Sequence, residues 1–204
     1  MSGWHFDNIE NEFTRILRYS IHHKEETRRR IVDEASHRLR KDGIEGTGLA
    51  PLMHAVGLTH GAFYAHFASK HALVEAALDE AISQTLDHWP EPHDAAQLND
   101  FVDGYLSTAH RDNPADGCPL PSLAAELGLR GTPSAATDAL VERFAGRLEP
   151  SSLNNEGGKD EERGLAALAA IVGALSLARA VADPALSDRI LQAVHAALKT
   201  PDTP

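Results

Sequence analysis

The stretch from Thr47 to Phe67 constrains the fold of this chain more than any other. It reads TGLAPLMHAVGLTHGAFYAHF, with apolar residues at helical spacing both before and after Gly57. Gly57 is suited to end the first helix, because glycine adopts the left-handed conformation without a steric penalty. Thr59 is a good N-cap for the second helix, and Leu58 can act as an apolar plug between the two. The segment therefore predicts a helix, a tight turn and a second helix.

Two helices that cross steeply at a tight turn form the helix-turn-helix unit, in which the second helix enters the DNA major groove. The exposed first turn of that helix would comprise Thr59, His60, Gly61 and Ala62. His60 can exchange hydrogen bonds with a purine, whereas Gly61 and Ala62 offer close approach or contact with a thymine methyl group. The segment thus predicts an interface with double-stranded DNA.

The distribution of charge agrees with a DNA-binding role for one end of the chain. The formal net charge is -11 at pH 7, which by itself does not suit a DNA-binding protein. Residues 24–71, however, carry eight Lys and Arg against six Asp and Glu, whereas residues 72–204 carry nine against twenty-one. The positive surplus coincides with the helix-turn-helix segment, so we expect only that end to be drawn towards DNA.

The run from Thr27 to Ala77 resembles the DNA-binding domain of the TetR/AcrR family of bacterial transcriptional regulators. Its most specific part, AVGLTHGAFYAHFASKHAL, follows the family pattern Gly-Val-Ser-x-x-x-Leu-Tyr-x-His-Phe-x-x-Lys-x-x-Leu almost position by position. The resemblance implies an all-α protein. It would combine an N-terminal three-helix helix-turn-helix DNA-binding domain with a C-terminal helical domain for ligand binding and dimerisation.

The resemblance also implies individual DNA contacts. Tyr64 and His66 align with residues that contact the DNA backbone, and Lys70 aligns with a lysine that binds a phosphate. His60 departs from the pattern, since the family often has Lys or Arg there, and Gly48 stands where a hydroxyl residue is common. The predicted DNA interface consists of Thr47, Gly48, Thr59, His60, Gly61, Ala62, Tyr64, His66 and Lys70. The arginine run 28–30 can either reach a phosphate or form an ordinary solvated helix face.

The helical pattern divides the chain into three parts. Residues 1–23 are either an extra amphipathic helix packed on the DNA-binding domain, or a loosely ordered extension or the result of a start codon placed too far upstream. Residues 24–71 form the DNA-binding domain, with a helix predicted from Glu25 to Lys41 and Gly43 as its stop. Residues 72–204 form the effector-binding and dimerisation domain, entered by a helix that begins at Lys70 and is stopped by Pro90.

Cys118 is the one cysteine of the chain and the candidate redox site. Its Gly-Cys and the apolar run that follows resemble a motif of one branch of the family, in which a cysteine senses oxidants or electrophiles. The alternative is a small buried hydrophobic residue. A turn position before a helix capped by Ser122 favours a reactive thiol, whereas the lack of a neighbouring Lys, Arg or His in the sequence opposes one.

Aromatic and apolar residues of the larger domain are candidates for an effector pocket, because such walls with a few polar groups suit small molecules. Each of them can equally be plain core. The candidates are Trp89, Phe101, Tyr105, Cys118, Leu120 and Phe144.

The last two helical segments, 165–181 and 186–198, predict a homodimer. The first reads LAALAAIVGALSLARAV and is apolar nearly all round, so it must be covered on more than one side. A buried core helix is the alternative. The resemblance adds that the family dimerises through a four-helix bundle built from its last two helices.

Other classes of function are not favoured. His54, His60, His66 and His71 are spaced by 6, 6 and 5 residues, so no two stack on one helical face as metal ligands would. No cofactor is expected, nor is an enzyme, since no constellation of nucleophile, base and orienter is visible; only a carboxylate pair from Asp100, Asp103 or Glu126 could serve one. No basic-then-apolar leader or long uncharged apolar run is present, so we expect a cytoplasmic protein with no membrane partner.

The sequence therefore predicts a ligand- or redox-responsive transcriptional regulator, and more specifically a repressor. It would bind a palindromic operator as a homodimer, with its two recognition helices about 34 Å apart. A small-molecule or electrophile effector in the C-terminal domain would release it. The alternative is a dimeric helical small-molecule-binding protein without DNA binding, which the missing basic residue at His60 favours.

Overall fold

The computed structural model of the protein describes residues 6–149 and 160–199, with side chains over 22–149 and 162–199. These ranges are helical and contain no β-strand, which confirms the all-α prediction. In chain order the elements are α1 (Phe6–Gly46), α2 (Leu49–Ala55), a 3-10 helix (His60–Ala65), α3 (Lys70–His88), α4 (Ala95–Tyr105), α5 (Thr108–Asp112), a 3-10 turn (Pro114–Asp116), α6 (Leu120–Arg130), α7 (Ala135–Leu148), α8 (Asp160–Ala180) and α9 (Pro184–Leu198).

The first helix is longer than the sequence pattern predicts. The backbone is helical from Phe6 onwards, so the N-terminal extension and the helix predicted from Glu25 to Lys41 form one element. Residues 1–5 of the extension lie outside the described residues. Gly43 does not end the helix but kinks it, with a left-handed φ of 72° that glycine tolerates better than other residues.

The helix-turn-helix unit contains the predicted turn and the predicted second helix. Gly57 adopts a φ of 76°, and the N–H of Leu58 donates to the carbonyl of Met53 at 2.8 Å. The second helix is a 3-10 helix rather than an α-helix, and the Thr59 side chain forms no capping hydrogen bond. Six residues are too few to develop an α-helical ladder, and the tighter i to i+3 pattern is common in such short pieces.

A first apolar core holds the DNA-binding end together. It combines the buried face of α1 with α2, the 3-10 helix and the first half of α3. The rings of Phe63 and Phe67 stack with centroids 5.7 Å apart, and both pack in this core, which holds the 3-10 helix against it. Leu123 of α6 also belongs to this core, so the C-terminal half contributes to it directly. The domain boundary at residue 71 therefore stays a prediction.

A second apolar core fills the C-terminal half and extends from the end of α3 to α9. Within it α8 packs between α7 and α9. The segment Glu162–Ala180 of α8 has a mean hydropathy of 1.4 and is long and apolar enough to cross a membrane by composition alone. One such helix is weak support for a membrane span, because a helix in the core of a helical domain has the same composition.

Helix α6 begins three residues earlier than the sequence predicts. It starts at Leu120 after Pro119, so Ser122 lies inside its first turn and does not cap it. Proline is well suited to the start of a helix because its fixed φ matches the helical value. The Ser122 hydroxyl instead donates to the carbonyl of Arg40, which ties α6 to α1.

Candidate nucleic-acid interface

The 3-10 helix presents a row of exposed residues from the end of the turn. Thr59, His60, Gly61 and Tyr64 are exposed, and the Tyr64 side chain is 65% accessible. The rings of His60 and Tyr64 meet edge to face with centroids 6.2 Å apart. A Cβ added to Gly61 would have nothing within 4 Å, so the backbone there is open to close approach. These residues form one continuous surface.

Thr47 and Gly48, the two predicted DNA-interface residues that precede α2, are less exposed than the row on the 3-10 helix. The Thr47 side chain is buried, and its hydroxyl donates to the carbonyl of Gly43 at 2.7 Å. It therefore holds the end of α1 and is not presented to a ligand. Gly48 is half-buried and occupies the N-cap position of α2. The structure does not bring the Thr47 hydroxyl to the exposed surface, because that hydroxyl satisfies a carbonyl freed by the kink.

Positive charge collects beside the 3-10 helix. Burial lowers the pKa of His66, and the nearby charges of Lys24 and Arg28 lower it further. The Nδ1 atom of His66 is buried without a hydrogen-bond partner in the described part of the chain. Lys70 is half-buried at the first position of α3 and forms no ion pair with a described residue. Lys24 is absent from the DNA interface predicted from the sequence. Its i, i+4 spacing from Arg28, which places both cations on one helix face, is the signal that could have identified it.

The arginine run 28–30 has divided roles. Arg30 donates to the carbonyl of Val56 at 2.8 Å and so satisfies the exposed end of α2. The Arg28 guanidinium lies 4.7 Å from the centroid of the Phe67 ring and stays exposed on its other side. Arg30 is therefore structural, whereas Arg28 remains available to a phosphate.

The six effector-pocket candidates lie together in the second apolar core, where all are buried. Trp89 is the centre of the cluster, with ring centroids 5.4 Å from Tyr105, 6.4 Å from Phe144 and 6.5 Å from Phe101. These side chains pack against one another. A cavity of about 640 Å³ lies elsewhere, between α1, α3, α6 and α7, and none of the six lines it. The assignment of the six to an effector pocket stays a prediction.

Cys118 is buried next to a buried histidine. Burial raises the pKa of its thiol to about 11. The Nδ1 atom of His110 lies 2.7 Å from the carbonyl of Tyr105 and must donate to it, which leaves Nε2 to accept from the N–H of Cys118 at 3.1 Å. Burial lowers the pKa of His110 to about 4, so this neutral tautomer persists at pH 7. The arrangement holds the thiol protonated and away from solvent.

Comparison with known proteins supports the family resemblance. Residues 31–77 match the family model described as bacterial regulatory proteins, tetR family. The chain is 35% identical over 88 residues to the HTH-type transcriptional regulator TtgR of Pseudomonas putida. It is 37% identical over 73 residues to the probable HTH-type transcriptional regulator ArpR of the same species. Residues 31–77 thus match the DNA-binding segment of the TetR family.

The likeness of this chain to the two curated relatives is confined to part of their length. The matches span 43% and 36% of this chain, and 40% and 34% of TtgR and ArpR. The whole fold resembles that of Escherichia coli NemR in its reduced form, with a TM-score of 0.66, 19% identity and coverage of 87% of this chain and 100% of that one. A TetR-family regulator from Cytophaga hutchinsonii gives a TM-score of 0.59 at 20% identity, with coverage of 88% and 98%. At these identities the structural likeness extends to the fold alone.

The described part of the chain contains no group of three or more His, Cys, Asp or Glu side chains placed to hold a metal ion. Each of the four histidines considered in the sequence is accounted for separately. His54 and His60 are exposed, His66 lies beside Lys24 and Arg28, and His71 lies 3.4 Å from Glu75.

Proposed function

We propose that this protein is a transcriptional regulator that binds operator DNA through the exposed surface of the 3-10 helix. The observation that carries the proposal is the exposed row of Thr59, His60, Gly61 and Tyr64 within the segment matched by the family model. Backbone positions without a covering side chain let base edges approach closely, and His60 supplies a hydrogen-bonding ring. The site suits the major groove of double-stranded DNA.

Phosphate binding is assigned to groups around this row. Lys24 and Arg28 lie on one side, beside His66, and Lys70 lies at the start of α3. Each cation that neutralises a phosphate releases a counterion, so affinity should fall steeply with salt. Tyr64 is placed to donate its hydroxyl to a phosphate as well. His60, Gly61 and Ala62 would then select the sequence, since phosphate contacts carry no sequence information.

The reading of a palindrome requires a second copy, and the last two helices offer a surface for it. Leu177 of α8 is 58% exposed and Leu186 of α9 is 37% exposed, although both are large apolar residues. Exposed alanines lie along α8 as well, at positions 166, 169 and 180, and a Cβ at Gly173 would meet nothing within 4 Å. Small residues let backbones approach closely, which supports a homodimer built on α8 and α9. We propose that the dimer acts as a repressor.

A bound ligand is the better supported trigger for release from DNA. Oxidation or alkylation of Cys118 requires a thiolate, and burial together with a pKa of about 11 disfavours that form. A ligand that prefers a different spacing of the two DNA-binding ends lowers operator affinity by its differential affinity for the two states. We expect peroxide to release wild type and Cys118→Ser from DNA equally. Release of the wild type alone would restore a redox role.

The decisive experiment is fluorescence anisotropy of labelled DNA from the region upstream of the gene, titrated with protein at several salt concentrations. Selection from random duplexes supplies a site if that region lacks one. The expected result is specific binding with two protomers per site and a steep salt dependence. Lys70→Ala should weaken binding to all sequences and reduce the salt slope by about 1 per protomer, whereas His60→Ala should change the preferred sequence.

Control variants separate this interface from general loss of charge. Lys199→Ala removes a cation next to Asp103 at the end of α9 and should leave operator affinity unchanged. Tyr64→Phe tests the hydroxyl while it keeps the ring in place. If neither upstream DNA nor random duplexes were bound specifically, the alternative of a dimeric small-molecule-binding protein without DNA binding would replace this proposal.

A further inference from the structure

A cavity of about 640 Å³ separates the DNA-binding end from the C-terminal half. Its walls come from the end of α1, the first half of α3, the second half of α6 and the start of α7. The volume lies within the range of about 300–1,000 Å³ that is typical of small-molecule sites. It is distinct from the aromatic cluster around Trp89, which does not line it.

The floor of this cavity is apolar. Buried and half-buried side chains from α1, α3 and α6 form it: Leu39, Ile44, Val74, Leu78, Leu123 and Leu127. Half-buried apolar side chains around an open volume retain accessible area, and a ligand that covers them gains hydrophobic free energy. The floor therefore favours a ligand with an aromatic or alicyclic body.

Some of the charged side chains on the rim of the cavity form ion pairs, and others do not. Arg130 is already neutralised, since it forms ion pairs with Glu45 and with Glu126 at 3.1 Å. Glu75 and Asp79 of α3 lie one helical turn apart on the same wall. Glu75 contacts only the imidazole of His71 at 3.4 Å, and Asp79 forms no ion pair with any described residue. Two carboxylates thus lack a permanent cation.

Lys70 is the remaining Lys or Arg of the rim, and it lies at the opposite end of the α3 wall from Asp79. Nine residues separate it from Asp79, which corresponds to roughly 13 Å along the axis of α3. Repulsion between Glu75 and Asp79 at i, i+4 is relieved by a positive group between them. The acidic end of the cavity therefore favours a cation beside an apolar body.

We propose that this cavity binds an amphipathic organic cation, with the apolar body on the Leu123 and Leu127 floor and the cationic group between Glu75 and Asp79. A ligand there contacts both halves of the chain and stabilises one angle between them. The control of DNA release by this ligand rests on the proposed function. The binding of the ligand to the cavity does not.

The test uses three naphthalene probes with the same body and different head groups: 1-naphthylmethylamine as the cation, 1-naphthylmethanol and 1-naphthylacetic acid. Binding to the full chain is measured by naphthalene fluorescence and calorimetry in the absence of DNA. We expect the cation to bind on the order of tenfold more tightly than the alcohol, with the acid weakest. No binding by any probe, or equal binding by all three, would overturn the proposal.

Variants locate the probe. The double variant Glu75→Gln/Asp79→Asn should reduce the affinity of the cation to that of the alcohol. The control Asp87→Asn/Asp100→Asn removes the same charge at exposed positions that do not line the cavity, and it should bind the cation as wild type does. Equal loss in both double variants would indicate a general effect of charge and contradict the site.

Ala135→Trp tests the cavity itself. Ala135 is exposed at the first position of α7 and lines the cavity, so an indole can enter it without displacing core residues. This variant should bind none of the probes while its thermal unfolding midpoint matches that of the wild type. Wild-type binding by Ala135→Trp would place the probe elsewhere and overturn the assignment.

Operator affinity is measured separately on the same proteins. Probe binding without DNA binding would leave the site standing and remove the proposed function. DNA binding without probe binding would remove the site alone. Where both occur, saturating 1-naphthylmethylamine should change operator affinity of the wild type at least about fivefold, and that of Ala135→Trp should not change.

Discussion

The carboxylate of Glu126 accepts a hydrogen bond from the backbone N–H of Ile44 at 2.8 Å, just beyond the kink in α1. The same carboxylate accepts from the N–H of Glu45 at 3.1 Å. The positive φ of Gly43 turns these two amides out of the α1 ladder, and α6 supplies their acceptor. Glu126 thereby joins the C-terminal half to the DNA-binding end through the main chain.

Removal of this acceptor should destabilise the fold. We expect Glu126→Ala to lower the free energy of unfolding by about 1–2 kcal/mol, because two amides lose a charged acceptor that solvent only partly replaces. Glu126→Gln keeps one acceptor oxygen and should lose less. The measurement is urea unfolding, with the exposed Glu142→Ala on α7 as the control. Equal stability of Glu126→Ala and Glu142→Ala would contradict the assigned role.

The buried imidazole of His110 should make stability depend on pH. Its pKa is about 4 in the folded protein and about 6.5 in an unfolded chain, so between these values the unfolded chain binds more protons. Stability should therefore fall as pH decreases from about 6.5 to 4, by up to about 3 kcal/mol from this group, and the contribution levels off below pH 4.

The pH effect is isolated by comparison with a residue that does not titrate. His110→Gln should flatten the dependence of unfolding free energy on pH in this window, whereas exposed His54→Gln should reproduce the wild-type curve. A wild-type slope in His110→Gln would assign the pH dependence to other groups.

Gly117 is placed so close to His110 that a side chain cannot be added without movement. A Cβ at Gly117 would overlap the Nε2 and Cδ2 atoms of the buried ring. We expect Gly117→Ala to cost about 1–3 kcal/mol, since a core that is already packed must shift. Gly128→Ala in α6 has nothing within 4 Å and should instead stabilise by about 0.5–1 kcal/mol through helix propensity.

The origin of the Gly117 effect can be checked with a double-mutant cycle. In a His110→Ala background the methyl group of Gly117→Ala has room, so its cost should largely disappear. An unchanged cost in that background would mean that the backbone, rather than the imidazole, sets the constraint.

The proposed dimer surface on α8 can be tested by a single charge. If the protein is a dimer through this surface, Leu177→Glu should make it monomeric at micromolar concentration, because an apolar contact would have to bury an unpaired carboxylate. Leu129→Glu is the matched control, since Leu129 is 91% exposed and belongs to α6, outside the proposed surface on α8 and α9. Sedimentation equilibrium distinguishes the two states. A dimer that persists in Leu177→Glu would place the interface elsewhere.

Much of the DNA-binding end could be predicted because its signals are local. Gly57 ends a helix through its own backbone freedom, and Phe63 and Phe67 mark the buried side of the second helix by their spacing. The family match over 31–77 includes these three residues. The helix predicted after Thr59 is present as a six-residue 3-10 helix, a helix type that propensity does not distinguish from an α-helix.

Buried polar contacts could not be predicted in the same way. Arg40 lies near the end of the helix predicted from Glu25 to Lys41, yet it is buried and donates to the side-chain oxygen of Gln84 at 2.7 Å and to the carbonyl of Ala115. Its partners lie 44 and 75 residues away. No periodic pattern in one helix reports an interaction of that range.

The sequence by itself determined where most of the helices lie, where the turn occurs and which family pattern the DNA-binding end follows, because these depend on side chains a few residues apart. Only the tertiary structure decided three contacts. The Thr47 hydroxyl is hydrogen-bonded to the carbonyl of Gly43, Cys118 is buried against His110, and the Glu126 carboxylate binds the backbone at the end of α1. These contacts join segments distant in the chain. Their free energies depend on burial and on the partner present, which exist only once the helices have packed.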